Sequence, residues 1–141
     1  MWNDCFSPTK SGRATAALLL AACCALLVPV GLIDPATSRR FPRCTFHDLT
    51  GLHCPGCGAT RAVHHGLHGR VAQAASSNLL LVAAAPWLLY EFASGCLFVA
   101  RGRGFPPVRL RGEAAWGILI IVCLFGILRN LPAAPFQWLA P

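Results

Sequence analysis

The sequence predicts an all-α integral membrane protein with three transmembrane helices plus one short amphipathic or re-entrant helix. Three observations lead there. Charged residues make up only 12% of the chain against 55% hydrophobic ones, where a soluble domain carries about 25% charge. Three long apolar runs interrupt an otherwise polar sequence. The basic residues, eleven Arg and one Lys in a net charge of +7, bracket those runs. A nucleic-acid surface would gather its arginines into one block with interleaved aromatics. These flank apolar segments instead, as membrane-bordering charges do. The bilayer is therefore the expected partner, with a membrane protein as a second one, and no nucleic acid is expected. Ala- and Arg-rich, Lys-poor usage points to a bacterium and hence to a multi-pass protein of the cell (inner) membrane. At 141 residues the length suits a single domain.

After an N-terminal tail, residues 1–13, the first run is "ATAALLLAACCALLVPVGLI", residues 14–33. As a helix it spans about 30 Å, the thickness of a bilayer core. Pro29 lies in its last third, where a membrane helix tolerates a kink. Residues 20–23, "LAAC", fit a lipoprotein cleavage pattern. The apolar stretch continues past them to Ile33, so a retained span is expected rather than a processed one. Residues 34–58, punctuated by Pro, Gly, Asp and Arg, read as a Cys-rich loop. Residues 59–77 place Val63, Leu67, Val71 and Ala74 at helical spacing, with Arg61, His64, His65 and His68 on a different face. That pattern predicts one short amphipathic helix, weakened by Gly66 and Gly69. The second span covers residues 79–100, with Ser77 or Asn78 as its N-cap. A basic loop, 101–113, leads to the third span, 114–130. The Pro-rich tail, 131–141, cannot be a regular helix; its Phe136 and Trp138 suit a membrane interface.

Three spans put the termini on opposite sides. Lys10, Arg13, Arg101, Arg103, Arg109 and Arg111 fall on one side; Arg39, Arg40, Arg43, Arg61, Arg70 and Arg129 fall on the other. With the two sides tied, the positive-inside rule selects no orientation. Discounting Arg61, as packed among helices, and Arg129, at a helix end, tips the balance toward a cytoplasmic N-terminus.

Of eight cysteines, Cys23, Cys24, Cys96 and Cys123 lie inside apolar runs as small hydrophobes, and Cys5 is in the N-terminal tail. Cys44, Cys54 and Cys57 share one polar segment and are the chemical trio. The Cys-Pro-Gly-Cys turn directs two sulfurs inward, as a metal ion requires. Zinc takes four ligands. Cys44, Cys54 and Cys57 with one of His47, His53, His64, His65 or His68 would supply them, and the metal would order a small loop. Thiol–disulfide chemistry would use the same three cysteines catalytically. Cys57 precedes a helix N-terminus with Arg61 one turn on, and both features favour a thiolate. Against it, no thioredoxin-type βαβ pattern surrounds the motif. In a third reading the Pro-Gly turn merely starts a helix. His64 and His68 stand four apart and can share a ligand, or they form the polar face of an interfacial helix. Glu91 is the one acid inside a predicted span. It should face a partner, with Arg129 or Arg61 the natural choices, or else mark an interface with Trp87 and Tyr90. No cofactor-binding motif other than this metal turn is present.

The stretch "CTFHDLTGLHCPGCGATRAVHHGLHGRVAQAASSN" with the later "LRNLP" resembles the bacterial domain-of-unknown-function family 2752, small membrane proteins with a Cys-Pro-x-Cys-Gly-x-Thr-Arg-Ala motif. The resemblance covers about residues 42–132. Its pattern falls on Cys44, Gly51, Cys54, Pro55, Cys57, Gly58, Thr60, Arg61, Gly69, Asn78, Arg129 and Asn130. Arg70 stands where that family commonly has an acid, and Leu79 where Pro usually follows Asn. The resemblance implies a multi-pass membrane protein and assigns no activity. The resulting expectation is a non-enzymatic structural or accessory membrane component with a metal-binding Cys turn packed against Arg61 and Arg129. A membrane thiol–disulfide oxidoreductase and a small transporter or channel subunit using Glu91 and Arg129 are the alternatives.

Overall fold

A computed structural model describes residues 10–38, 41, 44–106, 108 and 112–132. Those residues form helices and connecting turns and contain no strand. The order is α1 (Lys10–Leu32), α2 (Thr45–Thr50), α3 (Ala59–Leu67), α4 (Val71–Ser77), α5 (Leu79–Arg101) and α6 (Gly112–Leu128). Cys5, Arg39, Arg40, Arg43, Arg109, Arg111, Phe136 and Trp138 lie outside the described residues.

Two helices are long and apolar enough to cross a membrane. α1 and α5 have 23 residues each, or about 34 Å at 1.5 Å per residue. Little of either is covered: 6% of the apolar window of α1 and 11% of that of α5 are buried. Leu18, Leu26 and Leu32 are each more than 70% exposed. Such continuous apolar surface is what a lipid-facing helix presents and what a water-facing one avoids. α6 is shorter, at 17 residues. The sequence places the third span over 114–130, but Arg129 and Asn130 lie beyond the helix, in a turn. Three transmembrane helices therefore do not follow from the structure, whereas two apolar helices of spanning length do.

Contacts divide the chain into two units. The first takes in residues 1–29 and 85–109. Here Arg13 Nη2 donates to Val99 O at 2.7 Å, placing a cation on a late carbonyl of α5, where the helix dipole favours it. The segment after α5 folds back on it. Phe105 N–H donates to Ser94 Oγ at 2.9 Å, and Tyr90 Oη donates to Pro106 O at 2.7 Å. The Tyr90 and Phe105 rings stack with centroids 5.4 Å apart.

The second unit takes in residues 30–84 and 110–141. The stretch 34–58, read from sequence as a loop, contains the two-turn helix α2. More consequentially, residues 59–77 form two helices rather than one. The break is a Schellman closure: Arg70 N–H donates to His65 O at 2.9 Å and Gly69 N–H to Gly66 O at 3.0 Å. Gly69 sits at φ +71°, in the left-handed region that only glycine enters without strain. Nothing lies within 4 Å of the Cβ that a larger residue would add there, so a substitution tests backbone conformation alone. Gly69→Ala is expected to cost about 1 kcal/mol, read as a lower thermal unfolding midpoint in detergent. An unchanged midpoint would mean that the closure contributes nothing.

Candidate metal centre

Cys44 is the N-cap residue of α2, and Cys54–Cys57 form the turn that leads into α3. Cys57 N–H donates to Cys54 O at 3.0 Å, and Gly58, at φ +79°, turns the chain into the first residue of α3. This tight path brings the sulfurs together. Cys54 Sγ is 3.3 Å from Cys44 Sγ and 3.3 Å from Cys57 Sγ. All three sulfurs lie within 4.8 Å of one another. Cys54 N–H also donates to Cys57 Sγ at 3.3 Å, an amide contact that favours a thiolate. Cys57 is buried and its two partners are partly buried. Three soft donors converging on one point can hold a metal ion.

The carbonyls of this turn are held by three side chains from elsewhere in the sequence. Asn78 Nδ2 donates to Pro55 O at 2.9 Å and Cys57 O at 3.2 Å. Arg129 Nη1 donates to Cys54 O at 3.0 Å, Cys57 O at 3.2 Å and Pro55 O at 3.4 Å. Asn130 grips His53 on both sides: His53 N–H donates to its Oδ1 at 2.7 Å, and its Nδ2 donates to His53 O at 2.8 Å. Asn78 and Arg129 are each only 2% exposed. Asn78 does a second job, because its Oδ1 accepts from Leu81 N–H at 3.0 Å and so caps α5. Of the two N-caps the sequence offered, Asn78 is the one used.

The family model described as "Protein of unknown function (DUF2752)" matches residues 44–92. Residues 44–92 are thus similar to that family over about a third of the chain. The DUF2752 match begins at Cys44 and contains Cys54, Cys57, Gly58, Thr60, Arg61, Asn78 and Glu91; Arg129 and Asn130, which complete the clamp, follow it. No curated protein and no solved structure matches the chain.

Several side chains around the three cysteines sit differently from expectation. None of the five histidines joins the thiol group among the described residues. His64 Nδ1–H donates to Val30 O at 2.7 Å, His68 Nδ1–H to His64 O at 2.8 Å, and His47 Nδ1–H to Leu52 O at 3.2 Å. The His47 and His53 rings stack 4.5 Å apart. Burial, with the charges of His47, Arg129 and Arg61, holds His53 below the ordinary imidazole range. Arg61 donates no side-chain hydrogen bond among the described residues, whereas Arg129 holds the turn carbonyls directly. Glu91 accepts from Trp87 Nε1 at 3.3 Å.

The thiols are electrostatically unequal. The His47 amide lowers Cys44 to about 7, helped by the Cys54 and Cys57 thiols, although no side-chain capping hydrogen bond forms there. Burial pushes Cys57 up to about 12, and its two thiol neighbours push the same way. Alkylation consumes thiolate. In reduced, metal-free protein, Cys44 should therefore gain reactivity with iodoacetamide through about pH 7 and lose it below, while Cys57 stays slow throughout that range. Peptide-resolved labelling against pH checks this. Equal profiles for the two residues would contradict it.

Proposed function

We propose that this chain is a non-enzymatic structural or accessory component of the bacterial cell membrane, whose Cys44–Cys54–Cys57 turn is held by a bound metal ion. One observation carries the reading: three sulfurs within 4.8 Å of one another, on a turn whose carbonyls are fixed by Asn78, Arg129 and Asn130. Zinc is the metal we propose, because thiolate sites in short turns suit it and because it is redox-inert. The protein supplies three ligands, and the fourth is water or a donor from a partner. α1, α5 and α6 are the proposed spans. At 17 residues, α6 meets the lower bound of about 17 for crossing a bilayer core.

A second reading, thiol–disulfide exchange, draws support from the same geometry. Cys54 Sγ touches both other sulfurs, so a disulfide at Cys54 could pass between Cys57 and Cys44. One preparation separates the readings. Full-length protein purified anaerobically in detergent is divided between elemental analysis and acid-quenched thiol trapping. One equivalent of zinc with three trapped thiols supports the metal reading. No stoichiometric metal together with a Cys54 disulfide replaces it with the redox one. Reporter fusions at both termini assign the side of the turn. An oxidising side favours the disulfide and a reducing side the metal.

A further inference from the structure

Arg129 is almost wholly buried, yet half of its guanidinium is idle. Nη1 serves the turn carbonyls, while Nε and Nη2 are buried without a hydrogen-bond partner. The Phe125 ring lies 5.0 Å from its Cζ, and no carboxylate forms an ion pair with it among the described residues. Arginine does not deprotonate to escape burial, so a buried guanidinium requires an anion nearby or costs several kcal/mol. Cys57 and Cys54 would favour its charge once a metal ion holds them as thiolates, and its Nη1 is bonded to the carbonyls of those same two residues. The like charge of Arg61 works against it.

We propose that Arg129 is the counter-cation of the thiolate centre, tuning it to a divalent ion bound by three cysteines. This rests on the metal reading above. The charges close: a divalent ion on three thiolates carries one net negative charge, and the guanidinium cancels it. A buried group that sums to zero is far less costly than a buried net charge. The hydrogen bonds to the carbonyls position that charge; the charge itself sets which ions the site prefers. It follows that the fourth ligand is neutral, because an anionic one would return the assembly to a net negative charge.

Ions of different charge provide the test. Trivalent arsenic, supplied as arsenite, condenses with three thiols and releases three waters, giving a neutral tris-thiolate that needs no counter-cation. Cobalt(II), the spectroscopic stand-in for zinc, gives the anionic complex that does. Full-length protein in detergent is titrated with each, Co(II) through its thiolate charge-transfer absorbance and arsenite through adduct mass and loss of free thiol. Arg129→Gln is expected to weaken Co(II) by about a hundredfold or more and to leave arsenite capture unchanged. Arg129→Lys, which keeps the charge but not the planar fork, should hold Co(II) within about tenfold of the parent, a gap of about 1.4 kcal/mol. Equal loss of both ions in Arg129→Gln would show a purely scaffolding arginine and overturn the proposal, as would no loss of either. Should Arg129→Gln not fold, Arg129→Lys decides alone: loss of Co(II) with arsenite capture intact overturns it. A parent protein that takes neither ion defeats the metal reading itself, a distinct result.

Discussion

Cys54→Ser is expected to abolish metal retention, with an apparent affinity lower by at least about three orders of magnitude. Cys54 is the middle sulfur, 3.3 Å from both Cys44 and Cys57, so its loss leaves two thiols that no longer share a neighbour. A serine hydroxyl is a hard donor that stays protonated at neutral pH, and soft thiolate sites do not accept it in place of sulfur. Structural zinc contributes about 10–16 kcal/mol in small peptides, and removing a third of the protein ligands forfeits several of those. Competition with a chelator measures the loss. The parent should keep its ion at chelator levels that strip the variant completely. Hydrogen exchange should locate the accompanying loosening in residues 44–58 and leave α5 protected. A variant that holds one equivalent of metal as tightly as the parent would falsify the tris-thiolate site.

Asn78→Ala should be the most destabilising substitution outside the cysteines, at about 2–4 kcal/mol. The figure combines two losses. Removing an N-cap side chain costs about 1 kcal/mol, and here Leu81 N–H is left unsatisfied. Removing a buried donor from two carbonyls costs about 1–3 kcal/mol more, moderated because Arg129 Nη1 still reaches Pro55 O and Cys57 O. Asn78→Ser separates the terms, since a serine hydroxyl caps α5 but is too short to span to the turn. It should recover about 1 kcal/mol of the loss. Denaturant or thermal unfolding in detergent measures all three proteins. Identical stability of Asn78→Ala and the parent would show that the clamp does not hold the turn.

The helical class was legible because it depends on composition and run length, which tertiary contacts do not alter. α5 is the clear case, an apolar stretch with Asn78 before it and Arg101 at its end. The joint at His68–Arg70 was half legible. Gly66 and Gly69 both weaken a helix by propensity, but only one enters the left-handed region, and that choice is made by the hydrogen bonds of Arg70 and Gly69. α2 was missed because six residues are too few to show a period; the signal available was Gly51 closing a stretch that starts at Cys44. Within the site, the spacing of Cys54 and Cys57 announced a pair. The nearness of Cys44 depended on the turn at Gly51, which no spacing rule captures. The histidines misled because their number near the cysteines suggested ligands, whereas none brings a ring nitrogen into the thiol group among the described residues. Arg129 was expected against the cysteine turn or opposite Glu91; the Cys54 carbonyl it holds there is 75 residues away in sequence, and no local pattern names it.

The clamp on the cysteine turn also sets a clock. Asn78 follows Cys57 by 21 residues, but Arg129 follows it by 72. Chains emerge from the ribosome N-terminus first, at about 5–20 residues per second. The three thiols are therefore made several seconds before Arg129 and Asn130 exist. During that interval Asn78 alone braces the turn, and Arg129 is not yet there to balance its thiolates. A nascent chain halted before residue 129 should hold its cysteines loosely, and one that has released residue 130 should hold them fast. The turn that follows α6 thus acts as a latch, and the site is completed only once residue 130 has been made.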